Sequence, residues 1–330
     1  MAVLIDLVLL SMLAITALRV IFLKDLFAVV MLFGIYSLLS ALIFVNLDAV
    51  DVAFTEAAVG AGISTVLMLS TLALTGRTEK ENKRSSVLPL LVVIATGAAL
   101  IYGTLDMPPF GAADNPIHQH VAPRYIEESP KEVGLPNLVT SVLASYRGFD
   151  TFGETVVVFS AMVGVLSLLG AARRRENSDD AAVIVAGFKG HKVLRVVAKL
   201  IIPLIILFAL YVQFHGDFGP GGGFQAGVIA AAAFILYALV FSLSHAMQVV
   251  SPKFLQLLAS LGVLLYASVG IYSMLKGGHF LDYNKLAADP LVGQHFGILI
   301  IELGVGIAVF AVMLSIFYAF AHQVERSTIK

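Results

Sequence analysis

Three glutamates, Glu56, Glu154 and Glu302, sit inside apolar runs long enough to cross a bilayer: VDVAFTEAAVGAGISTVLML, FDTFGETVVVFSAMVGVLSLLG and FGILIIELGVGIAVFAVML. A carboxylate at membrane depth costs about 2.5 kcal/mol or more even on lenient insertion scales. Such residues face a bundle interior or a wet cavity and mark ion or proton routes. A carboxylate can hold either a proton or a cation, the property an exchange of the two requires.

Each candidate also has a structural reading. Glu56 precedes AAVGAGIST, small residues that let helices pack closely. It belongs either to an ion path or to a hydrogen-bonded helix mouth. Asp150 and Glu154 are four apart and fall on one face of a helix. Two neighbouring carboxylates disfavour joint ionisation, so one of the pair would hold a proton near neutral pH. The same stretch, Thr151-Phe-Gly-Glu154, fits a capping box with Asp150 or Thr151 as N-cap. Both readings stand, and Arg147 is placed to neutralise either carboxylate. Glu302, in IIELGVGIA, is an ion-path residue or a helix–helix hydrogen bond. Lys24, between two apolar runs, is an interface anchor or a functional cation.

The most distinctive string is FHGDFGPGGGFQAG, residues 214–227. Gly219, Pro220, Gly221, Gly222, Gly223, Phe224 and Gln225 form its turn. Its glycines allow backbone angles that other residues avoid, and the proline fixes one turn angle. No strand precedes it, which excludes a dinucleotide fingerprint, and no Gly-Lys-Ser/Thr follows, which excludes a phosphate-binding loop. The turn lets a helix begin below the membrane surface. His215 and Asp217 beside it are candidates for an outer mouth. His118, His120 and Asp114 lack a metal-ligand spacing, so no metal site and no cofactor is expected.

These residues need a helical membrane scaffold to position them. The 330-residue chain is 59% hydrophobic and only 13% charged, with a mean hydropathy of +0.93 and no cysteine. Net charge is −1, so nothing points to nucleic acid. The expected fold class is all-α and polytopic. Nine spans fall at about 2–22, 26–46, 52–75, 86–105, 152–172, 193–213, 222–243, 254–275 and 297–320. The N-terminus lacks a basic region and a cleavage site, and reads as the first span rather than a signal peptide. Short connections at Leu23–Asp25 and Leu47–Asp51 make spans one to three an antiparallel group.

Thirteen basic residues lie in one set of connections and five in the other. The positive-inside rule then puts the N-terminus outside and the C-terminus in the cytoplasm. Residues 106–150 form a long external polar loop, and 173–192 a charged internal linker. Spans three, five and nine would all run inward. Glu56, Glu154 and Glu302 near their starts, with Asp48, Asp51, Asp150, His215 and Asp217, then suggest one acidic funnel opening outward.

The motifs resemble known families. Through DVAFTEAAVGAGISTVLML, residues 1–80 resemble the end of the large subunit of Mrp-type multisubunit cation/proton antiporters, and a small subunit of archaeal membrane-bound hydrogenases. Through RGFDTFGETVVVFSAMVGV, residues 86–172 resemble the next small hydrogenase subunit. Residues 190–322 resemble the B subunit of Mrp antiporters through FHGDFGPGGGFQAGVI and IELGVG. The expected modules are 1–80, 81–175 and 176–330. The resemblance implies a multi-pass subunit in the inner (cytoplasmic) membrane, within a complex related to the proton-pumping arm of respiratory complex I. It implies Na+ and H+ exchange, carries Glu56, Asp150, Glu154, Lys24 and the glycine turn over as family positions, and places the chain in a lipid bilayer beside large antiporter-like partner subunits. The chain itself lacks the long antiporter-like domain, so it is not expected to transport alone. The alternatives are a redox-driven pump of the membrane-bound hydrogenase kind and a purely structural assembly subunit.

Overall fold

A computed structural model describes residues 2–75, 77–79, 87–109, 111–174 and 192–327. Residues 175–191, most of the expected charged linker, lie outside the described residues. Among the described residues the chain is helical, with a single antiparallel bridge between Asp25 and Thr78. Nine helices among them are long and apolar enough to cross a membrane.

The first group comprises α1 (Ala2–Phe22), α2 (Leu26–Asn46) and a third span in three parts. That span runs as α3 (Val50–Glu56), a π-helical stretch Ala57–Ser64, and α4 (Thr65–Thr75). Asp25 caps α2, accepting from the amide of Phe27 at 3.0 Å. Arg77 donates to the same carboxylate at 2.9 Å and closes the loop against the end of α4. The guanidinium holds the Asp25 carboxyl below its usual range. Lys24 lies in this loop, its carbonyl accepting from the amide of Glu79. The π stretch begins one residue after Glu56. Such bulges are rare and recur at functional sites.

The next elements are α5 (Val87–Thr104), α6 (Pro116–Gln119), α7 (Val121–Glu132), α8 (Leu138–Thr140), a π-helical stretch Ser141–Tyr146, and α9 (Gly148–Arg174). The stretch expected as a polar loop is therefore largely helical. After Gly134, which has φ +81°, Asn137 caps α8, accepting from Val139 N at 3.0 Å. Glu132 ties α7 down, accepting from Arg124 at 2.7 Å and from the Tyr146 hydroxyl. Burial, reinforced by that carboxylate, pushes the Tyr146 phenol up to about 12.

The last group comprises α10 (Lys192–His215), α11 (Gly223–Phe241), α12 (Leu243–Val249), α13 (Pro252–Leu275), a 3-10 turn Tyr283–Lys285 and α14 (Pro290–Ser327). Helix α10 continues through Pro203. In α14, 61% of the span is buried, against 0% in α5, so α14 is the central post and α5 stands at the periphery. Glycines bring α11 and α13 onto α14. A methyl on Gly262 would stand 2.6 Å from the Gly304 carbonyl oxygen, and one on Gly227 would stand 2.7 Å from that of Gly306. Lipid tails are as apolar as leucine, so this close backbone approach supplies the association between spans. Tyr266 of α13 and Tyr283 of the 3-10 turn, both fully buried, donate to the carbonyls of Gly148 and Ala144 and tie the start of α9 and the π stretch before it to this group.

Candidate ion-path cavity

A cavity of about 310 Å³ opens where α3, α8, α9, α11 and α14 meet. Asp51 and Thr55 line it from α3, Thr140 from α8, Thr151, Glu154 and Thr155 from α9, Gly221 to Gln225 from the glycine turn, and Glu302 from α14. The fold thus brings two of the three intramembrane glutamates to one space, and Asp51 with them.

The glycine string builds one wall. Of its glycines only Gly222 uses a left-handed backbone, at φ +109°. Gly221 and Gly223 are not there for unusual angles, as the sequence suggested. They are there because neighbouring backbone leaves no room for a Cβ. A methyl on Gly221 would stand 2.6 Å from the Val212 carbonyl, and one on Gly223 would overlap the carbonyl of Glu302. Glu302 is consequently pressed against the turn. Points one methyl out from Gly216 and Gly222 each lie 3.2 Å from one of its carboxylate oxygens. No residue donates a hydrogen bond to that carboxylate among the described residues.

Asn137 holds the turn in place and was not singled out in the sequence. Its Nδ2 donates to the carbonyls of Gly216 at 2.9 Å and Gly219 at 3.0 Å, and reaches Asp51 Oδ1 at 3.3 Å. Thr140 adds a 2.6 Å bond to the Gly216 carbonyl. One asparagine therefore joins α3, α8 and the turn. The Pro-Asn-Leu-Val-Thr pattern, an N-cap residue before an apolar run, was the available signal. Asn137→Ala should leave the Gly219 carbonyl without its donor and the Gly216 carbonyl with Thr140 alone, at about 1–3 kcal/mol. The expected result is a lowered melting temperature of the assembled protein, read by thermal denaturation in detergent.

Other sequence candidates are placed differently. Glu56 does not line the cavity. Its Oε1 lies over Gly60, beside the Ser37 hydroxyl of α2, so the expected three-glutamate funnel holds Glu154 and Glu302 without it. Asp150 and Glu154 do share α9, but Asp150 pairs with Arg147 at 2.7 Å and only Glu154 lines the cavity. Nor is there a capping box. Helix α9 already begins at Gly148, and the Thr151 hydroxyl donates to the Leu143 carbonyl instead. His215 stacks on Tyr211, with centroids 4.8 Å apart, and does not line the cavity. Asp217 pairs with His295 Nδ1 at 3.1 Å and does not line the cavity. Burial raises the Asp217 carboxyl above its usual range, against the opposing pull of His295. Lys24 lies in the α1–α2 loop, away from the cavity.

Nine apolar helices among the described residues, four of them lining a carboxylate-bearing cavity, mark an all-helical, multi-pass membrane protein. Comparison with known proteins gives its family. Residues 193–315 match the family described as a domain related to the MnhB subunit of Na+/H+ antiporter. Residues 11–77 match the MbhD family and residues 88–182 the MbhE family, both described as subunits of MBH. The chain belongs to the MnhB-related family of Na+/H+ antiporter subunits. The putative antiporter subunit mnhB2 of Staphylococcus aureus (strain Newman) is 35% identical over 127 residues, which are 38% of this chain and 89% of that protein. A probable K(+)/H(+) antiporter A/B subunit of Rhizobium meliloti (strain 1021) is 26% identical over 328 residues, 91% of this chain and 32% of that one. A chain of the Mrp complex from Dietzia sp. DQ12-45-1b superposes with a TM-score of 0.76 at 25% identity, over 95% of this chain and 34% of that chain. This chain thus spans about a third of the length of the two relatives that match nearly all of it.

Proposed function

We propose that the chain is a subunit of a multisubunit monovalent cation/proton antiporter in the inner (cytoplasmic) membrane, built of three modules at 1–80, 81–175 and 176–330. Its N-terminus lies outside and its C-terminus in the cytoplasm. It has no enzymatic role. It scaffolds large antiporter-like partner subunits and contributes carboxylates to a Na+ or H+ path. The observation that carries this reading is the cavity lined by Glu302, Glu154 and Asp51, on the proposed outer side of the membrane. No described residue donates a hydrogen bond to Glu302, which leaves its carboxylate open to a proton or a cation. Glu56, next to the cavity-lining Thr55 and just before the π stretch, is a further carboxylate for that path.

The test is cation-dependent proton movement in everted vesicles carrying the whole complex. Glu302→Gln and Glu154→Gln are compared with wild type, and Asp150→Asn, already tied to Arg147, serves as a control. Lost exchange in the first two, with assembly intact on native gels, supports the reading. Unchanged exchange in both assigns the chain a structural role only.

A second reading rests on the matches to the MbhD and MbhE families. In it the same cavity serves a redox-driven ion pump. Iron–sulfur signals in the purified complex, with ion movement that requires an electron donor, would favour it.

A further inference from the structure

We propose that Gln225 is the residue that decides which ion the cavity holds: its amide oxygen joins the Glu302 carboxylate in coordinating a largely dehydrated monovalent cation. The proposal rests on the reading of this cavity as an ion path.

Gln225 is only 8% exposed, and its side chain faces the cavity. The hydrogen-bond network fixes its orientation. The Thr55 hydroxyl donates its hydrogen to the Asp51 carbonyl at 3.0 Å, so it can only accept from Gln225. Gln225 Nε2 fills that role at 2.7 Å. The amide oxygen therefore points the other way. It lies 3.7 Å from the point one methyl out from Gly222, and Glu302 Oε1 lies 3.2 Å from that same point. Neither oxygen accepts a hydrogen bond from any described residue. Two acceptors thus face the same space beside Gly222 with no protein hydrogen on either.

The surrounding hydroxyls are acceptors too. Thr140 donates to the Gly216 carbonyl, Thr151 to that of Leu143 and Thr155 to that of Thr151. Each hydroxyl keeps only lone pairs for the cavity. A proton on Glu302 would bridge only these two oxygens, whereas a cation can also draw on the hydroxyl lone pairs around them. One carboxylate with neutral oxygens suits a single positive charge, and carboxylate and amide oxygens are the ligands hard cations take. Among the described residues, no three His, Asp or Glu side chains gather as a more highly charged ion would need. Proton and cation are then alternatives on Glu302, and Gln225 weights the choice toward the cation.

The experiment measures proton movement in everted vesicles against NaCl and KCl concentration, using the whole complex. Gln225→Met keeps the length of the side chain and removes the oxygen. The expected result is a rise of about tenfold or more in the half-saturating cation concentration, with a smaller change in maximal rate. An unchanged half-saturating concentration in an assembled Gln225→Met complex overturns the proposal. Should that variant not assemble, Thr55→Val releases the amide to rotate. A rise in the same direction supports the proposal, and an unchanged value overturns it. Glu302→Gln separates the two levels. If it and Glu154→Gln both leave exchange intact, the ion-path reading itself fails. If it abolishes exchange while Gln225→Met shifts nothing, only the role of Gln225 fails.

Discussion

Glu302→Gln abolishes cation-driven proton movement while the complex still assembles. The substitution keeps the size of the side chain and removes the group that can bind a proton or a cation. The fold should tolerate it, because no described residue donates a hydrogen bond to the Glu302 carboxylate and no buried donor is orphaned by the change. Transport should not tolerate it. Every 1.4 kcal/mol lost from ion binding is about tenfold in occupancy, and a neutral amide forfeits the full charge interaction in a buried site. Glu154→Gln should weaken exchange less, because Glu154 is more exposed than the carboxyl group of Glu302, which is pressed against the glycine turn. Asp150→Asn should sit close to wild type, its carboxylate being occupied by Arg147 at the surface. Initial rates in vesicles matched for complex content provide the measurement.

Gly223→Ala disrupts assembly as well as transport. The added methyl would overlap the carbonyl of Glu302 and stand 2.9 Å from the Gly306 amide nitrogen. Both neighbours are backbone of the central helix, so no flexible side chain can yield. Overpacking of this kind costs about 1–3 kcal/mol, occasionally more. It also pushes α11 away from α14 at the level of the cavity, displacing Gln225 from Glu302. The expected results are a lower yield of intact complex on native gels, a lower melting temperature, and no exchange in whatever assembles. Gly153→Ala is the contrast. Nothing lies within 4 Å of the position its methyl would take, so assembly and exchange should be close to wild type.

The spans were legible because hydrophobic length alone reports them. All nine were expected from apolar runs, with the fifth and ninth beginning several residues earlier than hydropathy suggested. Gly148 and Pro290 start those helices in polar sequence that tertiary bonds hold in place, among them the Tyr266 bond to the Gly148 carbonyl. The shared cavity was half legible. Placing Glu154 and Glu302 near the outer starts of inward-running spans brought them to one depth, but depth does not fix rotation. Glu56 is expected at a similar depth, and its carboxylate lies beside Ser37 of α2. Asp150 was legible as a face-mate of Glu154, but the nearer Arg147 takes it. Asn137 and Gln225 were hardest to see. Their roles depend on partners 79 and 170 residues away in the chain, which no local pattern reveals. The close crossing of α11 on α14 did have a local signal, the Gly-Phe-Gln-Ala-Gly spacing at 223–227, a GxxxG pattern on a membrane helix.

The central claim is that the cavity beside Glu302 is a wet vestibule for a monovalent cation. The chain has no cysteine, so an introduced thiol is the one reactive thiol on this subunit, whose band is read separately on a gel. Leu143 lines the cavity, is 46% exposed, and takes no side-chain part in the polar network. Leu143→Cys in the assembled complex would be treated with a membrane-impermeant thiol reagent, with and without NaCl or KCl against an organic-cation salt of equal strength. The expected result is labelling from the outer face, slowed by the alkali cation in wild-type background and unaffected by it when Glu302→Gln is added. A thiol that stays unlabelled from that face, or labelling indifferent to the cation with Glu302 intact, would contradict the account.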